Sequence, residues 1–226
     1  PSYPAAPNCQ SVGATGGDVT WTDLIPGAYS VTEVDPGSAW SVVVGTPSVT
    51  VPADGGQGAG SVTNTRKHGS LTVTKVVEWN GVTEDPAKQF QVCILGPSFP
   101  TTADCKTAGA NGAVLVWNDL LPGSYTVCEQ PAGSEWAVTV KDSPAVVPAD
   151  GQPVAASIVN ARKLGSLEVL KQVNWNGVTP DSQVQFSLCI QGPSFPTTPD
   201  CKTAGFSGGS LLWEKLIPGE YQVAEI

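Results

Sequence analysis

Three kinds of side chain that could react together recur in short alternating runs of this chain. In GSLTVTKVVEWNG, residues 69–81, the two-residue period of a strand puts Leu71, Val73, Lys75, Val77 and Trp79 on one face. That face is apolar except for its lysine. GSLEVLKQVNWNG, residues 165–177, repeats the arrangement around Lys171. In YTVCE, Glu129 shares a face with Tyr125 and Val127, and in ASIVNAR, Asn160 shares one with Ile158. Burying an unpaired ammonium costs several kcal/mol, so an inward lysine needs a partner or a reason. An amine, a carboxyl and a carboxamide facing one core can form a buried ion pair. If burial removes the proton from the amine, they become a nucleophile, a proton carrier and an acyl group. The remaining reading is a lysine whose stem is buried while its head snorkels to water.

The elements that must hold these residues are repeated. WTDLIPGAYSVTE at 21–33 returns as WNDLLPGSYTVCE at 117–129 and WEKLIPGEYQVAE at 213–225. Trp21, Trp117 and Trp213 are evenly spaced (117 − 21 = 96; 213 − 117 = 96). Cys9, Cys105 and Cys201 keep this register, as do Glu33, Glu129 and Glu225, and Asn64 and Asn160. The spacing predicts a partial unit over 1–68 without its first strands, a complete unit over 69–164, and a partial unit over 165–226 without its last strands. The junctions TRKHGSL and ARKLGSL are short, and read as tight links between beads. A chain that begins and ends inside a unit suggests a window on a longer polymer, or completion by neighbouring chains.

Within 69–164 the alternation predicts strands near 70–78, 88–95, 113–117, 123–130, 135–141 and 153–162, with another near 144–148. Asn80-Gly81, Gly96-Pro97, Asn111-Gly112 and Asp150-Gly151 supply turns between them. Seven short strands in about 96 residues fit an immunoglobulin-like β-sandwich. The composition agrees: 25 glycines, 20 prolines, no methionine, 40% hydrophobic residues, and no amphipathic helical run. Trp79, beside a turn, is the best candidate for a contact between units; core packing is the plainer reading for all the tryptophans.

Charge and cysteine usage narrow the class. A net charge of −9 excludes nucleic acid as a natural partner, and no apolar run is long enough to span a membrane. Cys93 and Cys105 recur as Cys189 and Cys201, flanking GPSFPTT. A repeated pair closing a Pro-containing loop reads as a disulfide and an extracellular setting, with two reduced thiols as the alternative. The spacing does not suit zinc, and no metal or cofactor is expected. Cys128 stands alone as an outward thiol; its equivalents are Thr32 and Ala224. The one histidine, His68, is replaced by Leu164 in the next junction, so no Ser–His or Cys–His machinery repeats.

LTVTK at the start, the L-x-P-G-x-Y-x-V-x-E box in LLPGSYTVCE, and V-x-N in IVNAR occur in an order that resembles the Cna-B (SpaA-like, prealbumin-fold) domains of bacterial surface adhesins and pilins. The resemblance covers the whole unit; the cysteines and the GPSFPTT stretch depart from it. It implies tandem prealbumin-like sandwiches in which Lys75 and Asn160 join in a spontaneous isopeptide bond, with Glu129 as catalyst. It also implies Glu33 and Asn64 as equivalents in the first partial unit, and Lys171 and Glu225 in the last. Folding would supply the proximity, worth up to about 7–11 kcal/mol in favourable intramolecular reactions. An apolar setting favours the protonated carboxyl, which can donate to the asparagine carbonyl.

Such a single-turnover reaction does not make the chain an enzyme. The expected role is structural: a stiff extracellular stalk, surface fibre or filament at the cell surface, whose partners are further repeats or identical chains. The alternative is an adhesin module that grips a host protein or glycan through its repeated loops and tryptophans.

Overall fold

Alternating residues with few helix formers can bury their apolar faces only by pairing strands and stacking sheets. The structure is a computed structural model that describes residues 1–226, built from strands with no helix, and hence none long and apolar enough to cross a membrane. The chain divides into two compact units. One comprises Pro1–Ser70 with Asn118–Gly123 and Val147–Pro153; the other comprises Leu71–Trp117, Ser124–Val146 and Val154–Ile226.

In the first unit, β1 (Gly27–Ser30) pairs antiparallel with β3 (Ser48–Val51), and β2 (Trp40–Val44) with β4 (Val62–Arg66). The second unit holds most of an eight-stranded sandwich. Its strands are β5 (Gly69–Glu78), β6 (Phe90–Gly96), β7 (Phe99–Ala108), β8 (Ala113–Leu120), β9 (Gly123–Glu129), β10 (Trp136–Lys141), β11 (Ala145–Val147) and β12 (Pro153–Arg162). One sheet runs β10-β12-β5-β8 and the other β11-β9-β6-β7. The first and last strands of the set, β5 and β12, are therefore neighbours. Leu71 and Val73 from one sheet, and Val92, Ile94, Tyr125 and Val127 from the other, are all buried. The same unit carries β13 (Gly165–Lys171), β14 (Gln185–Gly192), β15 (Phe195–Gly205), β16 (Gly209–Leu216) and β17 (Gln222–Glu225), in sheets β13-β16 and β15-β14-β17. Its core is Leu188, Ile190, Trp213 and Leu216.

The structure differs from the sequence-based expectation at GPSFPTT. The stretch is taken into β7: Gly96 pairs with Phe99 across a tight turn and Asp104–Ala108 pair with β6, while residues 100–103 between them bulge where the register shifts. The proline that suggests a loop, Pro100, lies on an edge strand, where its missing N–H interrupts no ladder. Trp79 also has a partner within the sandwich. It packs edge-on to Trp136 at 5.0 Å, and its indole N–H donates to the Ala110 carbonyl.

The L-x-P-G-x-Y box owes its form to its tyrosine. Tyr29, Tyr125 and Tyr221 accept at their hydroxyls from the backbone N–H of Ser2, Ser98 and Ser194, at 3.0, 3.1 and 3.0 Å. The Tyr29 and Tyr221 hydroxyls also donate to the carbonyls of Ile25 and Ile217, four residues upstream. The box is thus tied to the turn before it, and the strand that follows leaves with a fixed phase. Four residues after the tyrosine, on the same face, comes the glutamate.

Tyr125 is fully buried, whereas Tyr29 is partly exposed. Tyr125→Phe removes the hydrogen bonds between the buried Tyr125 hydroxyl and Ser98 and is expected to cost about 0.5–1.5 kcal/mol. Tyr29→Phe, with water at hand, is expected to cost less. Hydrogen exchange of the β6 and β9 amides, compared with that of β1 and β3, measures both.

Candidate functional site

Lys75 sits on β5 and faces the sandwich interior because every second residue before it does. A tight approach fixes its backbone: Gly112, in the turn before β8, has φ +78°, and a Cβ there would collide with the Lys75 carbonyl. Only glycine satisfies both conditions. Asn160 comes from β12, the strand next to β5, and Glu129 comes from β9 in the facing sheet. The first strand, the last strand and the end of the tyrosine box converge on one point.

That point is dry. Lys75 is 2% exposed and Asn160 0%. Glu129 lies between them. Its Oε1 accepts from the Asn160 side-chain amide at 2.7 Å, and its Oε2 stands 3.3 Å from Lys75 Nζ. The second contact has ion-pair distance without hydrogen-bonding direction, so Oε2 has no hydrogen-bond partner. The buried Oδ1 of Asn160 also has none. Lys75 Nζ makes a long bond of 3.4 Å to the Val76 carbonyl and lies 4.6 Å from the centre of the buried Phe90 ring. Burial pulls the Lys75 pKa below its ordinary value; the neighbouring Glu129 charge acts against this and only partly offsets it. The group is an amine disposed to lose its proton, beside a carboxyl that touches both it and an amide.

The equivalent residues are also brought together, two at a time. Asn64 on β4 donates to Glu33 Oε1 at 2.6 Å; Glu33 lies beyond the end of β1, and both residues are exposed. Lys171 contacts both oxygens of Glu225, at 3.0 and 2.7 Å, and lies 4.3 Å from the Phe186 ring centre. Glu225 is 45% exposed at its side chain, against 2% for Glu129. Residue types and pairing are alike in all three places, but enclosure belongs to the β5–β12 set.

Disulfides join Cys93 to Cys105 and Cys189 to Cys201, each across a hairpin between directly opposed residues. Cys9 and Cys128 are free and exposed. No cluster of three or more His, Cys, Asp or Glu is placed to hold a metal. Two contributors escape sequence reasoning. Phe90 is legible as an inward residue of FQVCIL, but its place against the lysine is not. Gly112 reads as ordinary turn chemistry, and its approach to Lys75 depends on how β8 folds back.

No protein-family model matches the chain, and no curated protein matches it. Solved structures of similar fold include the Bacillus anthracis TIE protein, at 14% identity and a TM-score of 0.44, covering 83% of this chain and 36% of that one. Two B repeat units of the collagen-binding protein Cna of Staphylococcus aureus match at 14% identity and a TM-score of 0.43, over 82% of this chain and 62% of theirs. The major pilin of Streptococcus pyogenes matches at 15% identity and a TM-score of 0.28, over 70% and 77%. The chain thus spans about a third and three-fifths of the first two. At such identities the likeness concerns fold, and the reading of the site rests on its own geometry.

The depressed lysine has a consequence for stability where the amine is kept intact. In an Asn160→Ala chain, the unfolded state holds the Lys75 proton up to its ordinary pKa of 10.5, whereas the folded state releases it earlier. Between those two values the unfolded state binds more protons, so stability rises with pH and levels off above 10.5. Denaturant titrations across that window, compared with Lys75→Met in the same background, are expected to show the rise only where the lysine is present.

Proposed function

We propose that this chain is a structural repeat of an extracellular fibre or stalk, made of the 1–68, 69–164 and 165–226 beads and covalently closed by an isopeptide bond between Lys75 and Asn160. The observation that carries the reading is the enclosed Lys75–Glu129–Asn160 constellation. A plain ion pair leaves the Asn160 carbonyl oxygen unpaired in the core, at a cost of about 1–3 kcal/mol. It also leaves a charge that burial disfavours.

Bond formation removes the charge. Lys75 passes its proton to Glu129 within the pair, leaving a neutral amine and a carboxylic acid. With the carboxamide turned so that its oxygen faces Glu129, the acid donates to that oxygen and makes the carbon more electrophilic. The Nζ lone pair attacks Cγ. The Nζ–Cγ bond forms, the Cγ–Nδ2 bond breaks, and Nδ2 leaves as ammonia with the proton that Nζ gives up, relayed by Glu129. An amide replaces an amine and a carboxamide, and no external reagent is consumed.

The position of the bond is what serves a fibre. It links β5 to β12, which are neighbours in one sheet and mark the two ends of the set. Tension entering at one strand and leaving at the other would run through the cross-link instead of peeling the strands apart. The loop it closes spans 85 residues (160 − 75 = 85), which by analogy with a disulfide restricts the unfolded chain by about 4–5 kcal/mol. The disulfides support an oxidising, extracellular setting.

The intact mass of the reduced chain is expected to be lower than the sequence mass by one ammonia, and a digest is expected to contain one peptide branched at Lys75 and Asn160. Glu129→Ala is expected to restore the full mass while remaining folded by circular dichroism. An unmodified mass in the folded parent chain would leave a buried ion pair and remove the covalent basis of the reading.

A further inference from the structure

On the face of the β6 sheet that points away from the core, three sulfurs lie in one row. Cys93 on β6 is directly opposite Cys105 on β7 and directly opposite Cys128 on β9. Directly opposed residues of antiparallel strands project to the same face. The disulfide occupies one side of Cys93, and a free, exposed thiol occupies the other. We propose that this row is a thiol–disulfide exchange site, in which Cys128 displaces Cys105 from Cys93 and the bridge moves from β6–β7 to β6–β9.

The register makes both bridges feasible. Gln130 N–H donates to the Gln91 carbonyl at 3.0 Å, so the Cys93–Cys128 rung, two further along, is also a hydrogen-bonded one. Cα atoms on such a rung stand about 5.5 Å apart, inside the usual disulfide range of about 4.4–6.8 Å, and the Cβ atoms, at the wide end of about 4.5–5.5 Å, must close by roughly 1 Å to bridge. The direction of attack is right as well. Exchange proceeds by a thiolate striking one sulfur of the disulfide while the other leaves from the far side. With Cys93 on the middle strand, Cys128 and Cys105 flank its sulfur from opposite sides. The Cys128–Cys93 sulfur bond forms and the Cys93–Cys105 bond breaks. Cys105 leaves as a thiolate and takes up the proton that Cys128 released. Two sulfurs are oxidised before and after, so no oxidant or reductant is needed.

The two states differ in what they hold. The Cys93–Cys105 bridge closes a hairpin with a sequence separation of 12. The Cys93–Cys128 bridge would instead fasten β6 to the strand whose next residue is Glu129, and leave an exposed thiol at Cys105 on the sheet edge. The molecule supplies its own control. Cys189 is opposite Cys201 on β15 in the same way, but its other neighbour, on β17, is Ala224.

The test uses the full chain with Cys9→Ser, so that Cys128 is the one free thiol. The protein is held near pH 8.5, where an ordinary thiol ionises, trapped with N-ethylmaleimide at acid pH, and mapped as non-reduced peptides. The expected result is label divided between Cys128 and Cys105, a Cys93–Cys128 linked peptide, and at least several-fold more label on Cys105 than on Cys201. The rate is expected to be independent of protein concentration, and Cys128→Ser is expected to leave Cys105 unlabelled. Label confined to Cys128, with Cys93 found only in linkage to Cys105, would overturn the proposal. So would labelling of Cys105 and Cys201 together at a rate that grows with concentration, which marks exchange between molecules.

Discussion

The desolvation of one ammonium group is the constraint on which the rest of the β5–β12 sandwich depends. Lys75 is placed in the core by simple alternation, and an apolar interior does not tolerate a lone positive charge. The fold meets that constraint from the other sheet, with a carboxyl group, and from the neighbouring strand, with an amide. Each of these must arrive in phase. The tyrosine box sets the phase of β9, the Gly112 turn sets the backbone of β5, and the β12–β5 pairing brings Asn160 alongside. A register slip of one residue in any of the three strands would turn its polar group to solvent and leave the others unmatched.

Enclosure, more than residue identity, distinguishes this site from its equivalents. Glu33 with Asn64, and Lys171 with Glu225, reproduce two of the three partners at hydrogen-bonding distance. Glu33, Asn64 and Glu225 are exposed, whereas Lys75, Glu129 and Asn160 have buried side chains. The β5–β12 set differs by having the strands that close over the site. A reaction proposed to need a neutral amine is therefore coupled to completion of the sandwich, and the chemistry can report that folding is finished.

Much of this was legible in the sequence because period-two alternation is a strong signal when one face must be buried. Lys75, Glu129 and Asn160 could each be assigned to the interior, and the strand boundaries of β5, β9 and β12 fell within a residue or so of the turn signals. The edge strand β7 was not legible. Its residues are polar on both faces and include a proline, because an edge strand buries little and needs no N–H on its open side. For Trp79 the plainer reading, core packing, agrees with the structure, but its partner was not legible. Its neighbour Trp136 lies far along the chain, and alternation says which face a residue takes but not whom it meets there.

The disulfides show how the two faces of one strand can serve different ends. On β6, Val92 and Ile94 face the core, while Cys93 between them faces outward, bridged to the edge strand β7. The edge strand is the one that alternation and burial hold least firmly, and the disulfide fastens it to β6. At the proposed isopeptide site the logic is the reverse: β5 and β12 are central strands already held by packing on both sides. A covalent bond there restricts the unfolded chain, and when the chain ends are pulled it would also carry the load. The disulfide secures the edge strand, whereas the proposed bond would lie on the line along which force enters at β5 and leaves at β12, so the two linkages act on different strands and under different conditions.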